Sequence, residues 1–409
     1  MIFLVAQLGA RMHYAVPRIL HRAGMLARFY TDICAAKGWP RLLSAVPPVL
    51  RPPSLRRMRG RVPGGLPRDR ITAFSSFGLK FARRLAAATT PAEVIATYLW
   101  AGRTFCELIL STGLAGASGV YTFNSAGLEL LEAARERGLA GIMEQTSAPK
   151  QVEDALLTEE HARFPGWESP PGANLYAGEF SSRERSEWSN AGLILCGSEF
   201  VRESIAKAGG PTHKCAVVPY GGDFPPPPAR EPLRNRPLRA LFVGKVSLLK
   251  GAPYLLQAAA RLGSACQVRA VGPIQASEPA AAELRRRLEL TGPVPRSEVR
   301  RHFDWATVFV FPSICEGSAT VCYEALAAGL PVITTPNAGS VVRDAVDGFI
   351  VPIRDPEAIA EKLELLARDR ELLAWMSANA LARSREFTLE KYGERLVGVL
   401  KGTDGTPKP

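Results

Sequence analysis

The sequence predicts an α/β protein made of two doubly wound, parallel-sheet domains that face each other across a cleft. Short apolar runs alternate with helical patterns along much of the chain, and a proline-rich segment at residues 221–237 divides it in two. Such alternation is typical of parallel sheets covered by helices on both faces. Ligands of these folds bind beyond the carboxyl ends of the strands, so we expect the functional residues in loops that line the cleft.

Composition places the chain among globular proteins with more than one domain. It has 409 residues, of which 46% are hydrophobic and 22% charged, and this length favours at least two domains. No run approaches the roughly 18 consecutive apolar residues of a membrane helix. The opening residues MIFLVAQLGA lack a basic segment before their short apolar run, which favours a buried strand over a signal peptide. We therefore expect a cytoplasmic protein.

The spacing of the residue types that bind metals predicts no metal site. Seven cysteines are scattered without C-x-x-C spacing, so reduced thiols are expected rather than disulfides or zinc ligands. His13 and His21 form the closest histidine pair and have no carboxylate at a suitable spacing. The chain also has no Asp-x-Asp, a common way for sugar-transfer enzymes to hold a divalent cation.

Strand and helix signals are clearest after the proline-rich segment. Asp355 is a favourable N-cap, and Pro356 suits the first position of a helix. Strands are predicted there at 239–244, 267–271, 307–311, 331–335 and 347–352, and helices at 251–262, 283–290, 297–305, around Glu324 and after Asp355. Before the segment, strands are predicted at 2–7, 119–124, 140–145, 192–197 and 215–220, and helices at 128–137 and 199–208, the latter capped by Ser198. Residues 40–110 carry no clear pattern.

The chain is therefore predicted to have four parts. Residues 1–220 form an N-terminal domain, and residues 221–237, with a run of four prolines, form an extended linker. Residues 238–385 form the C-terminal domain. Residues 386–409 form a helix that returns toward the N-terminal domain, followed by a disordered tail.

The net charge of +12 is concentrated in part between Arg51 and Arg70, in a stretch rich in proline and glycine. Three interpretations are open: a solvated loop, a surface that faces anionic lipid or an anionic acceptor, and a nucleic-acid patch. Aromatic residues do not interleave with these arginines, and no nucleic-acid motif accompanies them. We therefore expect no nucleic-acid partner, and peripheral contact with the inner face of a membrane remains the functional alternative.

Two glutamates, Glu316 and Glu324, lie eight positions apart in SICEGSATVCYEALAAGLPVITT, residues 313–335. A strand ends before this stretch, and a helix is predicted to begin near Ala319 or Thr320. A helix N-terminus binds phosphate through its unpaired N–H groups, whereas carboxylates accept hydrogen bonds from hydroxyls. A sugar nucleotide satisfies both groups. The alternative is an acid near the start of the helix and a second acid on its surface.

A second loop follows the strand that ends at Gly244, in LFVGKVSLLKGAPYLLQAA, residues 241–259. Lys245 and Lys250 lie in this strand-to-helix loop, where two ammonium groups suit a departing diphosphate. The alternative is a pair of ordinary surface lysines. No G-x-G-x-x-G follows the first strand of either domain, which disfavours a dinucleotide cofactor.

In order and spacing, the segments FVGKVSLLKG, EGSATVCYEALAAGLPVITT and AGSVVRDAVDGFIVP resemble the retaining nucleotide-sugar glycosyltransferases of family 4 (glycosyl transferases group 1). The segment CGSEFVRESIAKAGGPTHKCAVVPYGGD is also similar to this family. The resemblance is specific across roughly residues 190–390. It implies the GT-B fold, with two facing doubly wound Rossmann-like domains, an acceptor bound by the N-terminal domain, and no metal or other cofactor.

The resemblance also implies roles for individual residues. Glu316 would contact the donor sugar and Glu324 the ribose hydroxyls, while Lys245 and Lys250 would bind the diphosphate. Nucleotide-sugar contacts are further implied for Gly9, Gly244, Gly317, Ser318, Ala319 and Thr320. The implied reaction transfers a sugar to a hydroxyl acceptor with retention, in polysaccharide, glycolipid or cell-envelope glycan synthesis. The resemblance leaves the acceptor unidentified, and lipid-linked acceptors are among those it implies.

Three positions depart from the family pattern. Lys245 stands where the family has an arginine, which replaces a planar fork with a point charge. Gly9 is followed by Ala10 and Arg11 where glycine pairs are common. Glu144 and Gln145 lie where many members have a histidine, so no catalytic role is assigned to either. A sugar-nucleotide epimerase, a phosphorylase and a catalytically silent sugar-nucleotide-binding protein are the alternative functions on the same fold.

Overall fold

The computed structural model describes residues 1–37, 40, 61–170, 172, 174–225, 227 and 237–402, which form two parallel β-sheets flanked by helices. The two predicted doubly wound domains are confirmed. In the first sheet the strands are β1 Phe3–Gln7, β2 Leu26–Thr31, β3 Ile71–Ala73, β4 Gly119–Phe123, β5 Ala140–Gln145, β6 Leu193–Cys196 and β7 Cys215–Val217. Their spatial order is β3-β2-β1-β4-β5-β6-β7.

Helices of the N-terminal domain lie on both faces of this sheet. They are α1 Ala15–Arg22, α2 Ser75–Ala87, α3 Pro91–Thr112, α4 Leu128–Glu136, α5 Lys150–Arg163, α6 Ala177–Asn190 and α7 Glu199–Lys207. The predicted cap of α7 is confirmed, since Ser198 Oγ accepts a hydrogen bond from the Val201 N–H at 3.3 Å. Strands β2 and β3 were not predicted. Arg28 interrupts the apolar run of β2, and β3 has only three residues at the edge of the sheet.

The second sheet contains β8 Leu238–Val243, β9 Cys266–Val271, β10 Glu289–Gly292, β11 Val308–Phe311, β12 Val332–Thr334 and β13 Gly348–Ile350, in the order β10-β9-β8-β11-β12-β13. Its helices are α8 Ala252–Leu262, α9 Glu278–Arg287, α10 Arg296–Trp305, α11 Thr320–Ala327, α12 Pro356–Arg368 and α13 Arg370–Ser384. Asp355 caps α12 as predicted, because its Oδ1 accepts from the Ala358 N–H at 2.8 Å.

The prediction of a helix at 283–290 is wrong at its C-terminal end. Helix α9 ends at Arg287, and residues 289–292 instead form β10. Three arginines occupy the last turn of α9, where cations interact favourably with the helix dipole. Strand β10 lies at the edge of the sheet, so its side chains are partly exposed. Its polar sequence therefore resembles the end of a charged helix, which explains why the predicted helix was too long.

A C-terminal helix, α14 Leu389–Lys401, packs against α1 of the N-terminal domain. A Cβ atom on Gly393 would lie 3.4 Å from Ile19, which is an ordinary van der Waals distance, so the two helices are in close contact here. The segment before α14 also holds the inter-domain connection, because the Gly222 N–H donates to the Phe387 carbonyl at 3.0 Å. Most of the predicted linker lies outside the described residues, as do residues 403–409, where the chain was predicted to end in a disordered tail, and Arg51, Arg56, Arg57 and Arg59.

Helix α5 and the segment after it brace the N-terminal domain against the C-terminal one. The Glu160 carboxylate is fully buried and accepts from Tyr254 Oη at 2.7 Å and from Arg354 Nε at 2.6 Å. The buried Glu168 carboxylate accepts from the Leu248 N–H at 2.5 Å. These contacts hold the two domains together beside the cleft. Within the described ranges, no helix is both long enough and apolar enough to span a membrane.

Candidate functional site

The two motif loops lie side by side at the carboxyl edge of the C-terminal sheet. One follows β8 and the other follows β11, and these two strands are neighbours in the sheet. From them the chain winds outward in opposite directions, to β10 on one side and to β13 on the other. This topological switch point is where open α/β sheets form a crevice for ligands.

Lys250 and Glu316 connect the two loops through an ion pair, with 2.5 Å between Lys250 Nζ and Glu316 Oε1. Both side chains are 23% exposed. Lys250 Nζ also donates to the Cys315 carbonyl at 3.2 Å. The loops approach closely because Gly251, with φ of +72°, leaves no side chain in the way; a Cβ there would lie 2.0 Å from the Pro312 carbonyl oxygen.

The turn from Glu316 to Ala319 is fixed by contacts on both sides. At the end of the turn, the Ala319 N–H donates a hydrogen bond to the Ala338 carbonyl at 3.0 Å. Ser318 Oγ lies 2.9 Å from Tyr323 Oη. On the N-terminal domain, the Thr146 carbonyl oxygen lies so close to Gly317 that a Cβ atom would be 1.9 Å from it. Helix α11 begins immediately after this turn, at Thr320, as predicted.

Glu324 lies in the second turn of α11 and lines an inter-domain cavity of about 440 Å³. Its side chain is 20% exposed, and Arg296 Nη2 lies 3.4 Å from its Oε1. Burial raises the pKa of Glu324, and the Arg296 guanidinium opposes this rise. Further residues that line the cavity are Ala10, Met12, His13, Arg18, Gly221, Gly222, Asp223, Phe224, Thr320 and Leu389. Residues of both domains therefore surround this carboxylate.

The loop after β1 contributes Ala10, Met12 and His13 to the lining of the same cavity. Three consecutive residues in it, Met12, His13 and Tyr14, have positive φ of 46°, 50° and 60°, a costly conformation for non-glycine residues. Hydrogen bonds of the preceding residues fix the start of this loop. The Gly9 N–H donates to Asp32 Oδ1 at 3.0 Å, and Gln7 Nε2 donates to the Gly9 carbonyl at 3.0 Å.

Neither Gln7 nor Asp32 was singled out from the sequence. Both are buried polar residues at the carboxyl ends of strands, β1 and β2 respectively. A polar residue at the end of an apolar run could have identified both residues. For Asp32 this pattern could not be used, because strand β2 was not predicted. Arg61 Nη1 also pairs with Asp32 Oδ2 at 2.7 Å, so this arginine of the basic stretch is part of the same support.

Among the described residues, Lys245 and Gly244, in the loop after β8, form no hydrogen bond or ion pair with the Lys250–Glu316 pair or the turn before α11. Lys245 is exposed. Burial raises the pKa of Glu168, and the hydrogen bond from the Leu248 N–H and the charge of Lys245 oppose this rise. The Gly244 N–H donates to the Val271 carbonyl at 2.9 Å. The structure thus brings together Glu316, Lys250 and the turn, with Glu324 on the following helix, while Lys245 stands apart toward solvent.

Glu144 and Gln145 are buried and engaged by protein groups. Glu144 accepts from Tyr121 Oη at 2.5 Å and from Tyr220 Oη at 2.8 Å. Burial raises the pKa of Glu144, although the two tyrosine hydrogen bonds oppose that rise. Gln145 Oε1 accepts from Trp188 Nε1 at 3.0 Å, and its Nε2 donates to Glu184 Oε1 at 3.2 Å. These contacts account for both residues as structural supports of β5. In the part of the chain described, no three His, Cys, Asp or Glu side chains cluster as a metal site.

Residues 237–369 match the family model described as Glycosyl transferases group 1. The chain is 33% identical over 236 residues to the D-inositol 3-phosphate glycosyltransferase of Xylanimonas cellulosilytica, covering 51% of this chain and 56% of that protein. It is 28% identical over 225 residues to the putative colanic acid biosynthesis glycosyltransferase WcaL of Escherichia coli, covering 50% of this chain and 54% of that protein. The chain thus spans about half the length of these relatives.

Solved structures match almost the whole chain. HepE of Anabaena in complex with UDP has a TM-score of 0.61 at 15% identity, over 98% of this chain and 100% of that one. Sucrose-phosphate synthase of Thermosynechococcus elongatus has a TM-score of 0.62 at 15% identity, over 98% and 99% of the two chains. The fold is therefore GT-B, with two facing Rossmann-like domains.

Proposed function

We propose that the protein is a glycosyltransferase that moves a sugar from a nucleoside-diphosphate sugar to a hydroxyl acceptor with retention. The observation that supports this most directly is the convergence of the Lys250–Glu316 pair, the turn before α11 and Glu324 at the switch point of the C-terminal sheet. Ammonium, amide and carboxylate groups there match the diphosphate and hydroxyl groups of one donor. The match of residues 237–369 to Glycosyl transferases group 1 supports the same assignment.

Glu324 is assigned to the ribose hydroxyls. Its carboxylate faces the inter-domain cavity and can accept hydrogen bonds from two neighbouring hydroxyls. The opposing Arg296 side chain is 75% exposed, and an exposed ion pair of this length is weak. Ribose hydroxyls can therefore compete with Arg296 for the carboxylate. Glu316, one loop away, is assigned to the reacting sugar.

Lys250 and Lys245 are assigned to the diphosphate, together with the N–H groups of Gly317, Ser318 and Thr320. The Ala319 N–H, which the resemblance also implied, already donates to the Ala338 carbonyl. In the proposed reaction the bond between the anomeric carbon and the diphosphate oxygen breaks. The acceptor oxygen bonds to the same face of that carbon, and its proton passes to the departing phosphate. This reaction needs neither a strong protein nucleophile nor a metal, because cations and amides positioned in advance stabilise the leaving group. The N–H groups of Gly9 and Gly244 donate to protein acceptors, so the contact proposed for these two glycines is close approach of the donor to a backbone without side chains.

The N-terminal domain is proposed to bind the acceptor, and the reaction is proposed to belong to cell-envelope or polysaccharide synthesis. This assignment is supported by the names of two relatives of the chain, a D-inositol 3-phosphate glycosyltransferase and a putative colanic acid biosynthesis glycosyltransferase. A lipid-linked acceptor would suit the basic stretch from Arg51 to Arg70. Contact of that stretch with the inner face of an anionic membrane is part of the proposal.

Two steps test this function. A thermal-shift screen with UDP-, GDP- and ADP-sugars identifies the donor, since a ligand at 100 times its Kd stabilises by about 2.7 kcal/mol. The selected donor is then incubated with an envelope lipid and glycan extract, and the product is analysed by NMR. A new glycosidic bond with the anomeric configuration of the donor supports the proposal. An isomerised donor would indicate an epimerase, binding without any product would indicate a silent binding protein, and inverted product would exclude retention.

A further inference from the structure

A serine of the N-terminal domain holds the donor-side turn of the C-terminal domain. Ser198 Oγ donates a hydrogen bond to the Gly317 carbonyl at 2.5 Å. The same oxygen accepts from the Val201 N–H at 3.3 Å as the N-cap of α7. Ser198 is 6% exposed, so this hydrogen bond is shielded from water.

Glycines on two sides permit this approach. Gly339 has φ of +59°, and a Cβ on it would lie 2.3 Å from the Gly317 carbonyl oxygen and 2.5 Å from Ser198 Oγ. On the other side, Gly317 itself leaves room for the Thr146 carbonyl. A small buried apolar cluster of Ala148, Phe200 and Cys315 also joins the domains here. The position of the Gly317 carbonyl is therefore set by residues of the N-terminal domain.

Fixing this carbonyl also fixes the following N–H group. In a trans peptide the C=O and N–H point in opposite directions, and the described chain contains no cis peptide. With the Gly317 oxygen directed at Ser198, the Ser318 N–H points away from Ser198. It has no hydrogen-bond partner among the described residues. It lies two residues before the first residue of α11, where an anion is favoured.

We propose that Ser198 is a positioning residue that aims the Ser318 N–H at an oxygen of the donor diphosphate. This inference rests on the proposed function and deepens it. When the domains are together, the hydroxyl of Ser198 orients the Gly317–Ser318 peptide; when they are apart, the peptide loses this support. The strength of diphosphate binding then depends on a residue of the opposite domain that does not touch the donor.

The test compares wild type with Ser198→Gly and Ser198→Thr by isothermal titration calorimetry. Glycine is a tolerated N-cap, so Ser198→Gly removes the donor to Gly317 with little loss of helix stability, while Ser198→Thr keeps the hydroxyl. Thr90→Gly is the matched control, because Thr90 Oγ1 caps α3 by accepting from the Glu93 N–H at 3.2 Å, away from the cleft. The ligands are whichever of UDP, GDP and ADP binds wild type, and its parent nucleoside.

We expect Ser198→Gly to weaken binding of the nucleoside diphosphate about tenfold, as for the loss of one hydrogen bond to a charged group. Nucleoside binding should stay unchanged, and both Ser198→Thr and Thr90→Gly should bind like wild type. Equal losses for nucleoside and nucleoside diphosphate, wild-type diphosphate affinity in Ser198→Gly, or failure of threonine to restore it would each overturn the role of Ser198. If wild type binds none of the three nucleotides, the proposed function itself fails.

Discussion

Lys250 Nζ lies 2.5 Å from Glu316 Oε1, and this ion pair joins the loop after β8 to the loop after β11. The two residues are 66 positions apart in the sequence. They come together because they follow β8 and β11, which are neighbouring strands of the sheet. The pair therefore places a cation and a carboxylate at one end of the cleft. Each residue is assigned to a different part of the donor, so their removal should have different consequences.

Lys250→Ala should lower turnover roughly 10²- to 10³-fold, the range seen when one preorganised charge-stabilising group is lost. Thermal stability should change little, because Lys250 is a partly exposed loop residue outside the core. The measurement is kcat at saturating donor, with Lys391→Ala on the surface of α14 as a matched control. Turnover equal to that of the control would remove Lys250 from the reaction.

Glu324→Ala should mainly raise the KM for donor, whereas Glu316→Ala should mainly lower kcat. The reason is that Glu324 faces the ribose in the proposed complex and Glu316 faces the reacting sugar. Loss of a charged hydrogen-bond acceptor costs roughly 1.5–3 kcal/mol, so each constant should change by about 10- to 100-fold. Steady-state kinetics with varied donor measure both constants. Identical kinetic defects in the two variants would refute this division of roles.

Glu184 should make the folded state less stable as the pH rises. Burial raises its pKa to about 7, against hydrogen bonds from the Lys150 N–H and Gln145; the Glu153 charge adds to the rise and the Lys150 charge opposes it. In the unfolded chain this carboxyl titrates near 4.3, so the folded state binds the extra proton between these values. Its contribution to stability is present below that window and is lost as the pH rises through about 7.

Urea denaturation at pH 5 and pH 8 measures this effect. Glu184→Gln cannot titrate, so its free energy of unfolding should fall less between the two pH values than that of wild type. The comparison of the two slopes matters, because burial also raises the pKa of the neighbouring Glu187. Equal slopes in both proteins would show that Glu184 does not titrate in this range.

The basic stretch should bind anionic vesicles in a salt-dependent way. Each arginine near such a surface contributes about 1 kcal/mol, and the attraction fades as salt rises. Replacing Arg56, Arg57 and Arg59 with glutamine should therefore reduce co-sedimentation with anionic vesicles. Arg61 is best left intact, because its pairing with the buried Asp32 carboxylate supports the loop after β1. Equal sedimentation with anionic and neutral vesicles, or none at low salt, would leave the stretch an ordinary solvated loop.

Much of the fold and both motif loops could be predicted because their signals are local. The buried strand 140–145 was predicted with its observed bounds, and α11 begins at Thr320 within the predicted range. Local signals were weaker for β3 and β10, which are short or polar edge strands. Their identity depends on the neighbouring strand rather than on their own sequence.

Contacts between the domains could not be predicted in the same way. The N-cap of α7 was visible in the sequence, but the bond from Ser198 to Gly317 spans 119 positions. The buried pairing of Glu160 with Arg354 spans 194 positions. Such contacts depend on how the two sheets face each other, which no single segment encodes.

The central claim is that a nucleoside-diphosphate sugar binds where Glu324 and the turn before α11 meet. Calorimetric titration of UDP-, GDP- and ADP-glucose into wild type and Glu324→Ala tests it most directly. We expect one donor to bind wild type with one-to-one stoichiometry and to bind Glu324→Ala about 10- to 100-fold more weakly, as for the loss of a charged acceptor. Equal affinity of that donor for both proteins, or no binding of any donor to wild type, would contradict the claim.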